Sequence, residues 1–407
     1  MSDERLISFI IPSRSNLKYL KWSYASLRKN IGYRHEICYA DDASTDGTWE
    51  WLQEIAEKDS RVKIHRNEGP TRLGHTILYD TLINDYSTND IVMIAHADMY
   101  IMPNFDEEIL KHIKPGVVVS GTRIEPPLHP AGPEKILKDF GIEPEEFQEQ
   151  ELLSWFNRYE PEQETTEGIF APWAIYKEDF QKIGGHDPLF APQSKEDSDI
   201  FNRFILNGYE VIQTRRGCVY HMTCRGSRFA DGAKRNPDGQ VFMKGRETDE
   251  WLKQNERSTR NFIRKWGTMV QHDQLLKPIV SPIYDIGFEL TEAADVNLIR
   301  VLEPWCGYMV VPAAEEIEQY IKEEQPNTDY QLDKKLHTDL PGIPMYDIRV
   351  RFNPWDFTQE SFNILQKLPD IIKDSGEEGQ DFELDIFEIS IDKMTEHQED
   401  NIVCSLN

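Results

Sequence analysis

Residues 36–48 read EICYADDASTDGT, and this stretch decides the fold class. Glu36–Ala40 is a short, mostly apolar run, long enough for a strand buried on both faces. Asp41 and Asp42 follow it directly. Ser44 or Asp46 can then cap a helix carrying Trp49, Leu52, Ile55 and Ala56 on one side. An Asx turn and a helix cap account for Ser44 and Asp46. They do not account for two adjacent carboxylates at a strand end.

The same rhythm continues in both directions. Leu6–Ile11 (LISFII) is an apolar strand stopped at Pro12, and Asn16 is placed to cap a helix over Leu17–Lys29. Downstream, strands are expected at Val62–His65, Ile91–Ala95 and Val117–Ser120. Helices are expected over Thr76–Asn84 and Phe105–Ile113. Alternating strands and helices with uninterrupted apolar strands predict an α/β fold, Rossmann-like, with a mostly parallel sheet covered by helices on both faces. Ligands of such sheets bind beyond the carboxyl ends of the strands, so the loops after Ile11, Ala40 and Ala95 matter most.

Residues 122–168, rich in Pro and Glu, break the rhythm and read as an insertion with a helix at Glu145–Phe156. It resumes at Ile169–Ile175, Glu178–Ile183, Asp197–Asn207, Glu210–Gln213 and Gly217–His221. Residues 227–243 read as a mobile loop, and Glu247–Trp266 as a helix. From about Pro278 a second unit begins. Strand-like Tyr284–Leu290, Leu298–Leu302, Asp347–Phe352 and Phe382–Ile391 mix there with helical Ala313–Glu323 and Gln359–Asp374. The expected domains are therefore 1–235, a helical extension 236–277, and a small α+β unit 278–407. That unit would govern acceptor choice or oligomerisation, with Trp305 and Trp355 as a possible aromatic platform; core packing is the alternative.

The 407-residue chain carries a net charge of −27. Such acidity argues against nucleic acid as the main partner. No apolar run approaches the about 18–20 residues of a membrane span. The polar start shows no signal-peptide pattern, and five scattered cysteines read as reduced thiols, so a cytoplasmic location is expected. Residues 1–200 carry net −15, residues 201–300 net +4 and residues 301–407 net −16. The positive island makes Arg215, Arg216, Arg225 and Arg228 candidates for an anion site; solvated surface arginines are the alternative.

Three further clusters carry chemistry. His96-Ala97-Asp98 follows the fourth strand, where Asp98 can offer a hard oxygen to a divalent cation that also holds substrate phosphates. His96 could contact ribose, metal or only the core. In KEDSDIFNR (195–203), three carboxylates open a helix; they suit its dipole, but one aimed into a cleft can act as a general base. His221 can be structural or a ligand, and Cys218, His221 and Cys224 form only a weak zinc pattern, lacking a fourth ligand.

Together these features resemble glycosyltransferase family 2, inverting nucleotide-sugar enzymes of the GT-A fold. DDASTDGT is similar to the family's D-D-G-S-x-D-G-T, KEDSDIFNR to its E-D-x-D followed by Arg, and GGHDPLF (184–190) to its G-G-F-D-E-x-F. The resemblance spans about residues 5–230. It implies that Pro12, Ser13, Arg14, Asp41 and Asp42 lie at the donor nucleoside, without deciding which carboxylate meets the base. His96, Ala97 and Asp98 take the place of D-x-D, with His96 where the first Asp would be. Asp98 would then bind Mn2+ or Mg2+, and His221 could complete the metal site. Asp197 corresponds to the catalytic base, and Glu196 would lie beside the donor. Gly69-Pro70-Thr71-Arg72-Leu73-Gly74 resembles a pyrophosphorylase loop, but it follows the third strand rather than the first. Arg72 and Gly74 are thus candidate donor contacts, and a sugar nucleotidyltransferase is the less favoured enzyme. A non-catalytic carbohydrate-binding or scaffold protein is the other alternative. The implied partners are a nucleotide sugar, UDP- or GDP-linked, and a glycan, lipid-linked or protein acceptor. A homo-oligomer is also possible.

Overall fold

In a computed structural model, residues 4–223, 233–242, 248–340 and 346–404 are described. The chain divides into two compact units. The first holds residues up to Gln254 together with 272–278 and 404, and the second holds 255–271 and 279–403.

The first unit is built on one mixed sheet. Its strands are β1 (Ile7–Ser13), β2 (Glu36–Asp42), β3 (Val62–Asn67), β4 (Ile91–Ile94), β5 (Met99–Ile101), β6 (Val117–Glu125), β7 (Lys135–Leu137), β8 (Thr165–Thr166), β9 (Trp173–Tyr176) and β10 (Glu210–His221). The order is β3-β2-β1-β4-β9-β6-β10-β5, with β7 on β6 and β8 on β10. β1 to β4 are parallel, in keeping with the apolar, fully buried runs of β1 and β4. β9 enters antiparallel between β4 and β6, and β5 runs antiparallel to β10, so the sheet is less parallel than the sequence rhythm implies. Every residue of β1, β2, β4 and β6 is buried, and Leu20, Leu27, Leu52, Leu78 and Phe105 pack on them from the helices. From β1 the chain passes to β2 on one side, and β4 lies on the other. This switch point opens a crevice at the carboxyl edge.

Two strands run longer than their apolar cores. β6 continues past Ser120 to Glu125, and β10 is one strand with a bulge between Gln213 and Cys218 rather than two. Both extensions reach the carboxyl edge. Of the expected loop at 227–243, residues 227–232 and 243 lie outside the described set; Lys234–Arg235 and Val241–Phe242 pair antiparallel.

The second unit has a six-stranded sheet in the order Leu336–His337, Tyr308–Val310, Ile286–Leu290, Ile348–Phe352, Phe387–Ile391, Gln380–Leu384. Its first four strands are parallel, with helices Val296–Leu302 and Ala314–Glu324 between them in sequence. The last two form the antiparallel part. Val296–Leu302 corrects the strand expected at Leu298–Leu302. Asp295 caps it by accepting from the Leu298 N–H at 2.8 Å, and Ile299 and Leu302 face the core, a pattern that a short apolar run does not reveal. Trp305 is core, edge-on to Phe362, and is no platform; Trp355 is 74% exposed. Arg264, Glu303, Glu324 and Lys335 form a buried ion network, with Arg264–Glu303 at 2.6 Å.

Candidate active site at the carboxyl edge

The ends of β1 and β2 are laced together by the loop 43–48. Ser44 Oγ accepts from the Ser15 N–H (2.8 Å), and Asp46 accepts from Leu17 N–H (2.9 Å) and the Thr48 hydroxyl (2.6 Å). Asp46 thus serves two helix starts, whereas the Asn16 side chain makes no capping bond.

The two adjacent carboxylates have opposite fates, because neighbouring residues of a strand point to opposite faces. Asp42 is consumed by the protein. Its Oδ1 accepts from Asn67 Nδ2 (2.7 Å) and Leu73 N–H (3.0 Å), its Oδ2 from Gly74 N–H (2.9 Å), and Arg72 Nε lies 3.6 Å away. Asp41 is fully buried, and its Oδ1 accepts from Ser44 N–H. Asp41 Oδ2 makes no hydrogen bond, with Arg66 3.8 Å away. Burial holds the Asp41 carboxyl above its usual range. Ser13 pairs with Asp41 in register and follows Pro12; its hydroxyl is also buried without a hydrogen-bond partner. Arg14 lies close enough to Arg72 for the like charges to oppose each other; burial is the larger effect on Arg72.

β5 pairs antiparallel with β10, bringing Met99 opposite His221, and Met222 N–H donates to the Asp98 carbonyl (3.1 Å). His96, Asp98 and His221 consequently converge, each offering one ligand atom, all within 4.8 Å of one another. His221 Nε2 is 3.4 Å from Asp98 Oδ1, and His221 Nδ1 is 2.9 Å from Glu125 Oε1. Glu125 is itself held by Arg123 (3.1 Å) and Lys135 (3.4 Å). Burial, reinforced by His221, pushes His96 down to about 3, so its imidazole is neutral. Burial alone would lower His221 as well, but Asp98 and Glu125 outweigh it and raise His221 to about 9. Glu125 was not among the expected site residues. The alternation Thr122-Arg123-Ile124-Glu125 before Pro126 was the signal that β6 continues. Cys218 is buried with its thiol on the Arg215 carbonyl and outside this cluster, which removes the zinc pattern; Cys224 lies outside the described residues.

The third wall is the helix Glu196–Leu206 and the loop before it. Ser194 (φ +83°) and Lys195 (φ +72°) hold left-handed backbone at its start. Three carboxylates open this helix, and they separate by role. Asp199 is fully buried and bonds Arg203 Nε (2.9 Å), while Arg203 donates to the carbonyls of Ile183 (2.8 Å) and Gly185 (2.7 Å). That pair fastens the GGHDPLF loop. Glu196 is buried with Oε2 lacking a hydrogen bond, and burial together with the Asp197 charge raises its carboxyl. Asp197 is only half-buried; burial raises it, and His186 and Arg123 oppose the rise. Gly185 has a steric reason. A Cβ at Gly185 would lie 2.1 Å from Asp80 Oδ2, and Asp80 receives His186 N–H (2.9 Å) and Nδ1 (2.6 Å).

The donor-loop candidates meet this wall. Arg72 donates to Gln193, and a Cβ at Gly74 would fall 1.9 Å from the Pro192 carbonyl. Gly74 is thus a packing glycine. Arg215 sits in the β10 bulge, influencing Tyr159 rather than the histidine cluster. Arg225 and Arg228 lie outside the described residues. Among the described residues, Arg72 lies beside Asp42 and Arg123 beside Glu125. Burial raises the Tyr79 hydroxyl well above its ordinary value, and the charges of Asp197, Glu196 and Asp98 add to the rise.

Residues 8–178 match the model of glycosyl transferase family 2. This domain belongs to that family. The match covers the DDASTDGT stretch and His96-Ala97-Asp98, and ends before Glu196, Asp197 and His221. Partial superpositions are found with three solved structures. One is GalNAc-T7 with UDP, GalNAc and Mn2+ (16% identity, 53% of this chain and 43% of that one, TM-score 0.42). Another is the mannosyltransferase PcManGT from Pyrobaculum calidifontis with GDP-Man and Mn2+ (17%, 54% and 56%, 0.37). The third is S. aureus TarS 1–349 with UDP (16%, 53% and 59%, 0.38). The chain thus spans about half the length of these proteins. No helix among the described residues is long and apolar enough to cross a membrane.

Proposed function

We propose that the family 2 domain transfers a sugar, with inversion, from a nucleoside diphosphate sugar to an acceptor hydroxyl. The observation that carries this reading is that the first unit holds three groups suited to different tasks. They are a buried Asp41 whose Oδ2 makes no hydrogen bond, the His96–Asp98–His221 cluster, and Asp197 at a helix start.

Asp41 and Ser13 would accept and share hydrogen bonds with the nucleoside. Arg14 and Arg72 would face the diphosphate, where two like charges side by side favour an anion between them. The donor set at 96, 98 and 221 fits a divalent cation: neutral imidazole, carboxylate, and an imidazole whose second nitrogen is held by a carboxylate. A cation bound there would offset negative charge on the departing diphosphate. Asp197, the less buried of the helix-start pair, would take the acceptor proton as the new bond forms. Glu196, held protonated by burial beside Asp197, would donate a hydrogen bond instead. The test is release of UDP or GDP from a panel of nucleotide sugars with Mn2+, in the presence of candidate acceptors. Asp197→Asn should abolish transfer while leaving nucleotide binding. Retained turnover in that variant, or no release from any donor, refutes the proposal.

A further inference from the structure

In the GGHDPLF loop His186 stands where the family's pattern has Phe, and no step proposed above uses it. This inference rests on Asp197 as the base of that reading but is also tested apart from turnover. We propose that His186, clamped by Asp80, is a positioning residue for Asp197 and supplies a fixed positive charge that favours the ionised base.

Three observations support the assignment. First, the ring is fixed. Asp80 Oδ1 pairs with His186 Nδ1 at 2.6 Å, and Asp80 Oδ2 accepts from the His186 backbone N–H at 2.9 Å, so one carboxylate grips both. Phe180 lies edge-on at 5.5 Å, Tyr79 stacks at 5.6 Å and Trp173 lies at 6.4 Å. Second, the two ring nitrogens are unlike. A carboxylate accepts at Nδ1, so that nitrogen carries a proton. Nε2 is buried and makes no hydrogen bond among the described residues. A proton there makes the ring cationic, and no hydrogen bond at Nε2 spends that charge locally. Third, the loop bearing His186 is fastened to the helix bearing Asp197. Arg203 of that helix donates to the carbonyls of Ile183 and Gly185, and Trp173 meets Phe201 (5.9 Å) and Phe204 (5.6 Å) of the same helix.

The electrostatics agree with this geometry. Burial raises the Asp197 carboxyl, and the charges opposing that rise are His186 first and then Arg123. The other titratable neighbours bring no positive charge near neutral pH. Burial and the Asp197 charge keep Glu196 protonated, burial lowers His75 to about 4, and burial raises the Tyr79 hydroxyl. Asp187 accepts from Leu189 N–H in its own turn (2.9 Å), and Asp179 accepts from Gly116 N–H (2.8 Å). A base must be ionised when the acceptor hydroxyl arrives. A buried carboxylate tends to keep its proton, and a nearby cation reverses that tendency. Removing the His186 charge should therefore let Asp197 hold its proton to higher pH and move the acid limb of the rate profile upward.

The test is the pH profile of kcat/KM for the full chain, wild type against His186→Phe, paired with infrared titration of protein labelled with 13C-aspartate. The carboxylate band that Asp197→Asn removes is that of Asp197. His186→Phe keeps an aromatic ring among Tyr79, Trp173 and Phe180 but cannot be charged. Its kcat/KM should fall about 3- to 10-fold on the acid side, with the loss shrinking toward about pH 7. Its Asp197 carboxylate band should appear at higher pH than in the wild type. His186→Gln serves if that variant is unstable, because it can still bond Asp80 and is also uncharged; the same shifts are expected. An Asp197 band unmoved in both variants overturns the assignment. So does a loss of kcat that is equal at every pH, which is what a packing role alone predicts. A moved Asp197 band in a protein that turns over no donor would leave the assignment standing and remove the transfer reading. Turnover abolished by Asp197→Asn, with band and acid limb unmoved by the His186 variants, would do the reverse.

Discussion

Asparagine at position 41 and at position 42 should have opposite consequences, although the two carboxylates are adjacent. Asp42 receives three hydrogen bonds, from Asn67, Leu73 and Gly74, with Arg72 beside it. An asparagine keeps one oxygen. In its better orientation it still turns an amide N–H2 toward Gly74 N–H and Arg72. One orphaned buried N–H costs about 1–3 kcal/mol, and loss of the charge next to Arg72 adds to that, giving about 2–4 kcal/mol for Asp42→Asn. In a domain of this size the melting temperature should fall by on the order of 10 °C. Asp41 accepts one backbone hydrogen bond through Oδ1, which asparagine retains, and its Oδ2 has no hydrogen bond to lose. Burial already opposes its charge. Asp41→Asn should therefore change stability by less than about 1 kcal/mol. It should weaken UDP or GDP binding about 10- to 100-fold, the worth of one hydrogen bond to a charged acceptor. Thermal unfolding with calorimetric nucleotide titration checks both. The reasoning is refuted if Asp41→Asn is the variant that melts early, or if it binds both nucleotides as the wild type does.

Other expectations follow from single contacts. Glu125→Gln should weaken Mn2+ binding by about 10- to 100-fold, because the partner that orients His221 is altered; unchanged affinity by calorimetry would count against that role. Gly185→Ala should lower stability by more than about 1 kcal/mol, since its Cβ meets Asp80 Oδ2 at 2.1 Å where φ is +67°; an unshifted denaturant midpoint would contradict it. In the second unit, burial would raise Glu303, but Lys335 and Arg264 overcome it and hold Glu303 at about 2, below its ordinary 4.5. A depressed carboxylate stabilises the fold above about pH 4.5 and loses that contribution as pH falls toward 2. The loss should be about 3 kcal/mol between those values, read as the difference in acid unfolding between wild type and Glu303→Gln. A pH profile identical in the two chains would show that the pair contributes nothing.

The strands that frame the candidate site were legible in one dimension. The runs around Ile10, Ile37 and Ile91 are strands, and Asp41, Asp98 and Asp197 follow strand or loop ends where the sheet opens. Legibility failed where two segments share one job. Glu125 looked like the start of a Pro-rich insertion, because nothing local says that β6 runs on until β10 is laid beside it. Leu298–Leu302 looked like a strand, because five apolar-rich residues fit either period until Asp295 is seen capping them. Of the arginine island, Arg215 lies in the β10 bulge, and Arg225 and Arg228 lie outside the described residues. Arg72, beside Asp42, and Arg123, beside Glu125, are far apart in the chain.

The amino-acid order alone determined which residues could do chemistry, since residue type and strand-end position are local properties. Only the tertiary structure decided which of them are free to do it. Asp42 and Asp199 are bound up in holding loops, while Asp41 Oδ2 makes no hydrogen bond and Asp197 is only half-buried. The difference arises because successive side chains on a strand or helix point different ways, and only packing says which direction meets protein and which meets the crevice.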